Sequence, residues 1–99
     1  MSLLNKIIQA IENRKLMEFN YDGNFRIVEP HTVGVSKTGK EMLSAFQTGG
    51  DSNRGNVPCW GQFSVSKIEK LQVLDDSFSG TRSGYTRGDS RMNEIYAEL

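Results

Sequence analysis

Apolar side chains at helical spacing mark the first element of the chain. Within residues 2–14 they recur every three or four positions: Leu4, Ile7, Ile8 and Ile11. This spacing places them along one side of an α-helix, and Ser2 can serve as its N-cap residue. Because only one face of this helix is apolar, we predict that it packs on a second layer of structure.

After the helix the apolar period changes to two, which is typical of a β-strand. The pair Asp22–Gly23 then favours a tight hairpin, since both central residues of such a turn need positive φ angles. In the returning strand this register places Phe25 and Ile27 on one face and Arg26 on the other. Pro30 has no N–H to donate, so we expect an edge, a bend or a strand end there.

Three further segments predict three more strands, at residues 41–48, 57–65 and 67–76. Apolar residues occupy both faces of the segment 41–48, which we interpret as one face inside a barrel and the other beneath the helix. Gly61 permits the sharp bend that small barrels need. The sequence thus predicts a mainly β fold with one N-terminal helix, arranged as a small five-stranded antiparallel barrel.

Beyond Phe78 the composition changes. Residues 79–91 are rich in serine, glycine and arginine, which is typical of a flexible linker. The C-terminal segment places four apolar side chains at helical spacing: Met92, Ile95, Tyr96 and Leu99. A helix this short is unstable alone, so we predict that it docks on a surface of this chain or of a neighbour. We therefore divide the chain into a barrel domain with its helix, residues 1–78, and a flexible tail, residues 79–99.

Length, charge and cysteine content narrow the class of protein. Ninety-nine residues suffice for one domain with a modest core. Twelve basic and twelve acidic side chains cancel, so the net charge favours neither a nucleic-acid nor a membrane partner. The single cysteine suits a reducing compartment, no apolar run is long enough to span a membrane, and the N-terminus lacks a signal-peptide pattern. We expect a soluble, cytoplasmic domain with no membrane partner.

Arg26 is the first candidate for ligand binding. Its planar guanidinium can donate two parallel hydrogen bonds to a phosphate or a carboxylate. It could instead pair internally with Glu29 or Asp22, or cover apolar surface with its stem. The sequence leaves the ligand and the structural interpretations both open.

Three more cations lie at two places in the chain where a phosphate could be bound. Arg54 belongs to the glycine-rich stretch 49–56, which we predict to be a long mobile loop whose backbone amides could hold an anion. Lys67 and Lys70 follow a serine-containing strand end, which is a second position for phosphate contacts. For all three side chains a solvated surface charge is the alternative.

No catalytic or metal site is expected. His31 and Cys59 are the only parts of a nucleophile pair, and Cys59 alternates with core positions, which favours a buried, unreactive thiol. One histidine and one cysteine are too few for a zinc site. We therefore predict that the protein is not an enzyme and has no catalytic residues, no metal and no cofactor.

Two aromatic side chains are candidates for stacking on a base. Trp60 lies opposite the apolar set of its strand, where it either packs beneath the helix or presents an exposed ring. Tyr85 lies in the arginine-bearing tail and could stack in the same way.

The order of these features resembles the WYL domain family. The chain has a helix ending in AIENRK, then FNYDGNFRIVEP, a lysine–glycine turn into an apolar strand, FSVSKI, and Phe78 downstream. The resemblance covers roughly residues 8–78, and its most specific residues are these: Tyr21, Arg26, Pro30, Phe63 and Ile68. At the tripeptide that names the family the chain has Glu41, Met42 and Leu43, so only the leucine is retained.

The resemblance implies an Sm-like barrel, usually carried C-terminal to a winged DNA-binding domain in bacterial transcription regulators. Family members sense nucleotide or nucleic-acid ligands, which implies ligand-binding roles for Tyr21 and Arg26, with Lys67 in place of an arginine. We therefore interpret the chain as a non-catalytic regulatory module that binds a nucleotide or single-stranded nucleic acid. The alternative is a protein-interaction or homo-oligomerisation module without a small ligand.

Overall fold

An N-terminal helix forms where the apolar stripe predicts it. The computed structural model describes residues 2–51 and 57–99. Helix α1 spans Leu3–Asn13, and the Ser2 hydroxyl caps it by accepting a hydrogen bond from its first turn at 3.1 Å. Three side chains of the helix are buried: Ile7, Ala10 and Ile11. With 11 residues α1 is too short for a membrane span, and no helix in the described ranges is long and apolar enough to be one.

Six strands follow the helix. They are β1 (Lys15–Tyr21), β2 (Asn24–Ser36), β3 (Glu41–Gly50), β4 (Cys59–Ser64), β5 (Glu69–Ser77) and β6 (Met92–Glu98). All pairs are antiparallel, and the order across the sheet is β4-β3-β2-β1-β5, with β6 also paired to β2. The mainly β fold with one N-terminal helix is confirmed. The described sheet is not closed, because β4 and β5 at its two ends do not pair, and it has six strands rather than the predicted five.

The hairpin between β1 and β2 has the predicted turn. Both central residues have positive φ angles, 52° at Asp22 and 77° at Gly23. The register pairs Arg26 with Phe19, which lies in the core. Arg26 therefore points into the domain, whereas its neighbour Phe25 is 44% exposed.

Strand β2 is 13 residues long and is paired along both edges. Strand β3 follows most of one edge, and the other edge is shared by β1, at residues 24–28, and β6, at residues 32–36. The β2–β3 register shifts twice, once just after Pro30, which has no N–H to donate. Such shifts bend a strand, so Pro30 marks a bend within β2.

The C-terminal segment forms a strand rather than the helix that its apolar spacing predicts. A helix of this length is marginal, whereas the edge of β2 beyond β1 offers backbone N–H and C=O groups that an added strand can pair. The segment thus lies on this chain's own sheet. The predicted flexible tail is not confirmed, because residues 79–91 also donate and accept hydrogen bonds with the body of the domain.

The middle strands carry two layers of side chains. Leu43 and Phe63 are cross-strand neighbours in the core cluster that includes residues of α1. Phe46 and Trp60, also cross-strand neighbours, lie on the opposite face, because side chains alternate along a strand. We call these faces the helix side and the tail side, since residues 79–91 lie against the second. The two apolar faces of β3 are thus covered by the helix and by the tail.

Candidate functional site

Arg26 lies on the helix side of the sheet and is only 5% exposed. Its guanidinium carbon is 5.4 Å from the centre of the Tyr21 ring and 5.6 Å from that of the Phe63 ring. Both distances fall within the range of cation–π attraction. The sequence correctly placed Arg26 opposite Phe25, but that face is the interior and not the outer surface.

The hydrogen bonds of Arg26 are few and long. Nη1 donates to Gln47 Oε1 at 3.4 Å, and Nη2 donates to the Tyr21 carbonyl at 3.3 Å. Nε has no partner among the described residues. Both contacts exceed the usual 2.7–3.2 Å range, so the five N–H groups of the guanidinium are poorly satisfied.

Arg26 also lacks a counter-ion in the described part of the chain, where the ion pairs are formed by other residues. Glu29, one of its two predicted partners, pairs with Arg82 instead. The segment 52–56 and Met1, which lie outside the described ranges, contain no Asp or Glu. A buried cation is usually paired, because its desolvation costs several kcal/mol. Among the described residues, the Arg26 charge is therefore offset by two aromatic rings and two long hydrogen bonds, and by no carboxylate.

Tyr21 holds this arrangement in place. Its ring meets the Phe63 ring edge to face, with centroids 5.0 Å apart, and its hydroxyl accepts a hydrogen bond from the Ser64 N–H at 2.9 Å. Its carbonyl accepts a hydrogen bond from Arg26. Tyr21 thus connects β1 to the end of β4 and positions the guanidinium. The structure brings two predicted site residues, Tyr21 and Arg26, into contact.

The other two predicted site residues do not join them. Lys67 is exposed in the 3₁₀ turn Val65–Lys67. It lines a surface groove of about 570 Å³ together with Lys40 and the N-terminal end of α1, and Arg26 is not part of that groove. Arg54 lies outside the described residues.

A second polar cluster, which sequence reasoning missed, lies on the tail side. Arg82 donates two hydrogen bonds to the Glu29 carboxylate, at 2.7 and 2.8 Å. The Arg82 backbone N–H donates to His31 Nε2 at 3.1 Å, while His31 Nδ1 lies 2.8 Å from the Glu29 carbonyl. These partners require a neutral imidazole with its proton on Nδ1. Burial, the largest cause, lowers the pKa of His31 below its ordinary value.

Aromatic rings surround His31 on the same face. Trp60 lies 4.8 Å from the His31 ring and 6.3 Å from the nearly parallel Tyr85 ring, and its indole N–H donates to the Ser83 carbonyl at 2.8 Å. Trp60 thus packs against the tail, not beneath the helix. The sequence offered His31 only as one part of a nucleophile pair, whereas in the structure it lies within β2 and belongs to this cluster.

His31 and Cys59 are the two parts of a nucleophile pair that the sequence offered. Both ring nitrogens of His31 are engaged, so its imidazole is not placed as a base for Cys59. Within residues 2–51 and 57–99 no three His, Cys, Asp or Glu side chains are grouped so that they could hold a metal ion. The chemistry on the helix side is that of a cation held on aromatic rings.

No protein-family model, no curated protein and no solved structure matches this chain.

Proposed function

We propose that this chain is a non-catalytic, ligand-binding regulatory module whose ligand is a nucleotide or a single-stranded nucleic acid, and that Arg26 binds a phosphate of that ligand. One observation supports this proposal above the others. Arg26 is a buried guanidinium with no carboxylate partner among the described residues and with an unpaired Nε.

A purely structural role does not account for such a residue. Replacing a buried charge with a well-packed apolar side chain is often neutral or stabilising, so an unpaired arginine is a poor way to fill a core. An anionic ligand would supply both the missing charge and the missing acceptors. Arg26 is opposite Gly50 in the sheet register, one residue before the end of the described segment at Asp51. The Arg26 backbone therefore lies beside the end of strand β3.

The resemblance to the WYL domain family favours phosphate over carboxylate as the anion. Tyr21, Arg26 and Phe63 are among the residues that carry the resemblance, and all three are in contact. Lys67, which is exposed, and Arg54, which lies outside the described residues, are proposed as outer contacts to a longer ligand. The single cysteine agrees with a cytoplasmic setting for such a module.

We also propose that the fold belongs with the small Sm-like barrels, as a WYL-like domain. Support comes from a helix followed by short antiparallel strands, and from β2, which pairs with three other strands and shifts register twice against β3 and twice against β6. Shifts of this kind bend a sheet toward closure.

The test uses Arg26→Met, which removes the charge and keeps an apolar stem. Wild type and variant are titrated with a nucleoside monophosphate and with short single-stranded oligonucleotides at low and high salt. A charge-assisted contact is worth about 1.5–3 kcal/mol, so Arg26→Met should weaken binding about ten- to a hundredfold. Its melting temperature should stay the same or rise, because a buried unpaired charge has been removed.

Arg87→Met is the matched control, since the Arg87 side chain is 72% exposed and lies in the tail. It should bind as wild type does. Wild-type affinity should fall with salt, and that dependence should flatten in Arg26→Met. An Arg26→Met protein that melts at a markedly lower temperature and binds normally would make Arg26 a structural residue and end the proposal.

The interaction module is the second candidate. The observation that favours it is the open edges of the sheet: among the described strands, β4 pairs only with β3 and β5 only with β1. Free edges are places where another chain can add a strand. Absence of ligand binding at low salt, together with a sedimentation mass above that of one chain, would favour this function.

A further inference from the structure

A cleft lies between the tail side of the sheet and the segment 84–91. Its volume is about 340 Å³, at the lower end of the range for small-molecule sites. Trp60 and Tyr85 contribute nearly parallel rings, with an angle of 18° between their planes. We call it the tail cleft. It lies on the face of the sheet opposite to Arg26, so it is separate from the proposed anion site.

The polar lining of the tail cleft forms a connected row. Arg91 donates to the Asp89 carboxylate at 2.6 and 2.9 Å. With its amide oxygen turned toward Arg91, Gln62 accepts hydrogen bonds from both terminal guanidinium nitrogens at 3.2 Å and from Ser44 Oγ at 2.9 Å. The row presents amide, hydroxyl and carboxylate groups beside the two rings.

The charges of the lining cancel. Arg91 is paired with Asp89, and its guanidinium lowers the pKa of that carboxyl, which keeps the pair ionised at neutral pH. A phosphate entering the cleft would have to compete with Asp89 for Arg91. An uncharged ligand has no such competition, so the balance of charge favours a neutral molecule.

We propose that the tail cleft binds an uncharged planar heteroaromatic ligand of nucleobase size, stacked on the rings of Trp60 and Tyr85. Stacking on aromatic side chains accepts any flat π-system, and the polar row supplies partners for the edge of the ring. The volume suits one base or nucleoside. Because a nucleoside has no phosphate, this proposal stands or falls separately from the role of Arg26.

The single tryptophan makes the cleft directly observable. Trp60 gives one indole N–H resonance, so adenosine, cytidine and free ribose can each be titrated into the full-length labelled protein while that resonance is followed. We expect saturable shifts with both nucleosides and none with ribose. Tyr85→Leu removes one stacking ring and should weaken nucleoside binding roughly ten- to a hundredfold. Gln62→Leu removes the amide and should weaken it less.

One control separates this site from others. Phe25→Leu changes an exposed ring away from the cleft and should bind nucleosides as wild type does. Since Tyr85→Leu could release the tail, its ligand-free indole shift and melting curve are compared with those of Gln62→Leu, which lies on β4. No saturable change in wild type, or equal affinity in Tyr85→Leu and Gln62→Leu, would overturn the proposal.

Discussion

Protonation of His31 should loosen the tail from the sheet. His31 is the single histidine of the chain and is fully buried. Its Nε2 accepts a hydrogen bond from the Arg82 backbone N–H at 3.1 Å, and its Nδ1–H donates one to the Glu29 carbonyl. A proton added to Nε2 would turn this acceptor into a donor that faces another donor. The Arg82 backbone would then lose its partner beside the start of the docked tail.

The expected loss of folding stability follows from the one hydrogen bond between the Arg82 N–H and His31 Nε2. Leaving a buried N–H unpaired costs about 1–3 kcal/mol. A domain of this size has a total stability of about 5–15 kcal/mol, and each kcal/mol shifts its melting temperature by about 4–8 °C. Protonation of His31 should therefore lower the melting temperature by several degrees or more.

The direction with pH follows from the groups around the ring. Burial lowers the pKa of His31, the Glu29 carboxylate and carbonyl raise it, Arg82 lowers it, and burial is the largest effect. The Tyr85 ring lies 5.1 Å from the His31 ring. The native pKa is therefore below the ordinary 6.5, and the unfolded chain binds the proton more readily. The stabilisation that neutral His31 contributes is fully present above pH 6.5, and it is lost as the pH falls through the lowered pKa of His31.

The assay is thermal unfolding by circular dichroism from about pH 7.5 to about pH 5, with amide hydrogen exchange across β6 at both ends of the range. His31→Phe is the control, because it keeps a ring against Trp60 and Phe78 but cannot titrate. It should melt lower than wild type at neutral pH and change less on acidification. Parallel pH curves for the two proteins would refute the assigned role of His31.

Two further predictions test the fold. Phe19→Ala should lower the free energy of unfolding by about 3–5 kcal/mol, because the ring is 1% exposed in the core. Chemical denaturation measures this loss, with the surface variant Phe25→Ala as the control. A near-normal denaturation midpoint would place Phe19 outside the core. Truncation after Phe78 uncovers Trp60 and the β2 edge at residues 32–36. It should therefore lower the melting temperature and give a sedimentation mass above that of one truncated chain, because the free edge can pair with a second copy. Unchanged values for the truncated chain would leave β6 without a structural role.

Local signals in the sequence determined the elements that depend on neighbouring residues. The apolar stripe and Ser2 determine helix α1, because helical spacing and capping act within a few positions. The Asp22–Gly23 pair determines the hairpin and its register, since it meets the need for positive φ at both turn positions. The same register determines that Arg26 points away from Phe25.

Which face of that hairpin is buried was decided by the tertiary structure. Alternation separates Arg26 from Phe25 without saying which of them meets the helix. The contact of Arg26 with Tyr21 is local, being only five positions apart, and the resemblance singled out both residues. The absence of Lys67 from this contact depends on where the 3₁₀ turn after β4 lies, which alternation along β1 and β2 does not specify.

The tail shows most clearly what only the tertiary structure decided. The serine, glycine and arginine content of residues 79–91 is typical of a linker, yet Arg82 meets Glu29 and His31 across about fifty positions of sequence. The apolar spacing of residues 92–99 favours a helix, yet an open edge of β2 makes a strand the better solution. Composition and apolar spacing indicate the conformation that a segment favours in isolation. A distant edge or a buried acid outweighs those preferences, because unpaired backbone groups and unpaired charges cost more than local propensity contributes.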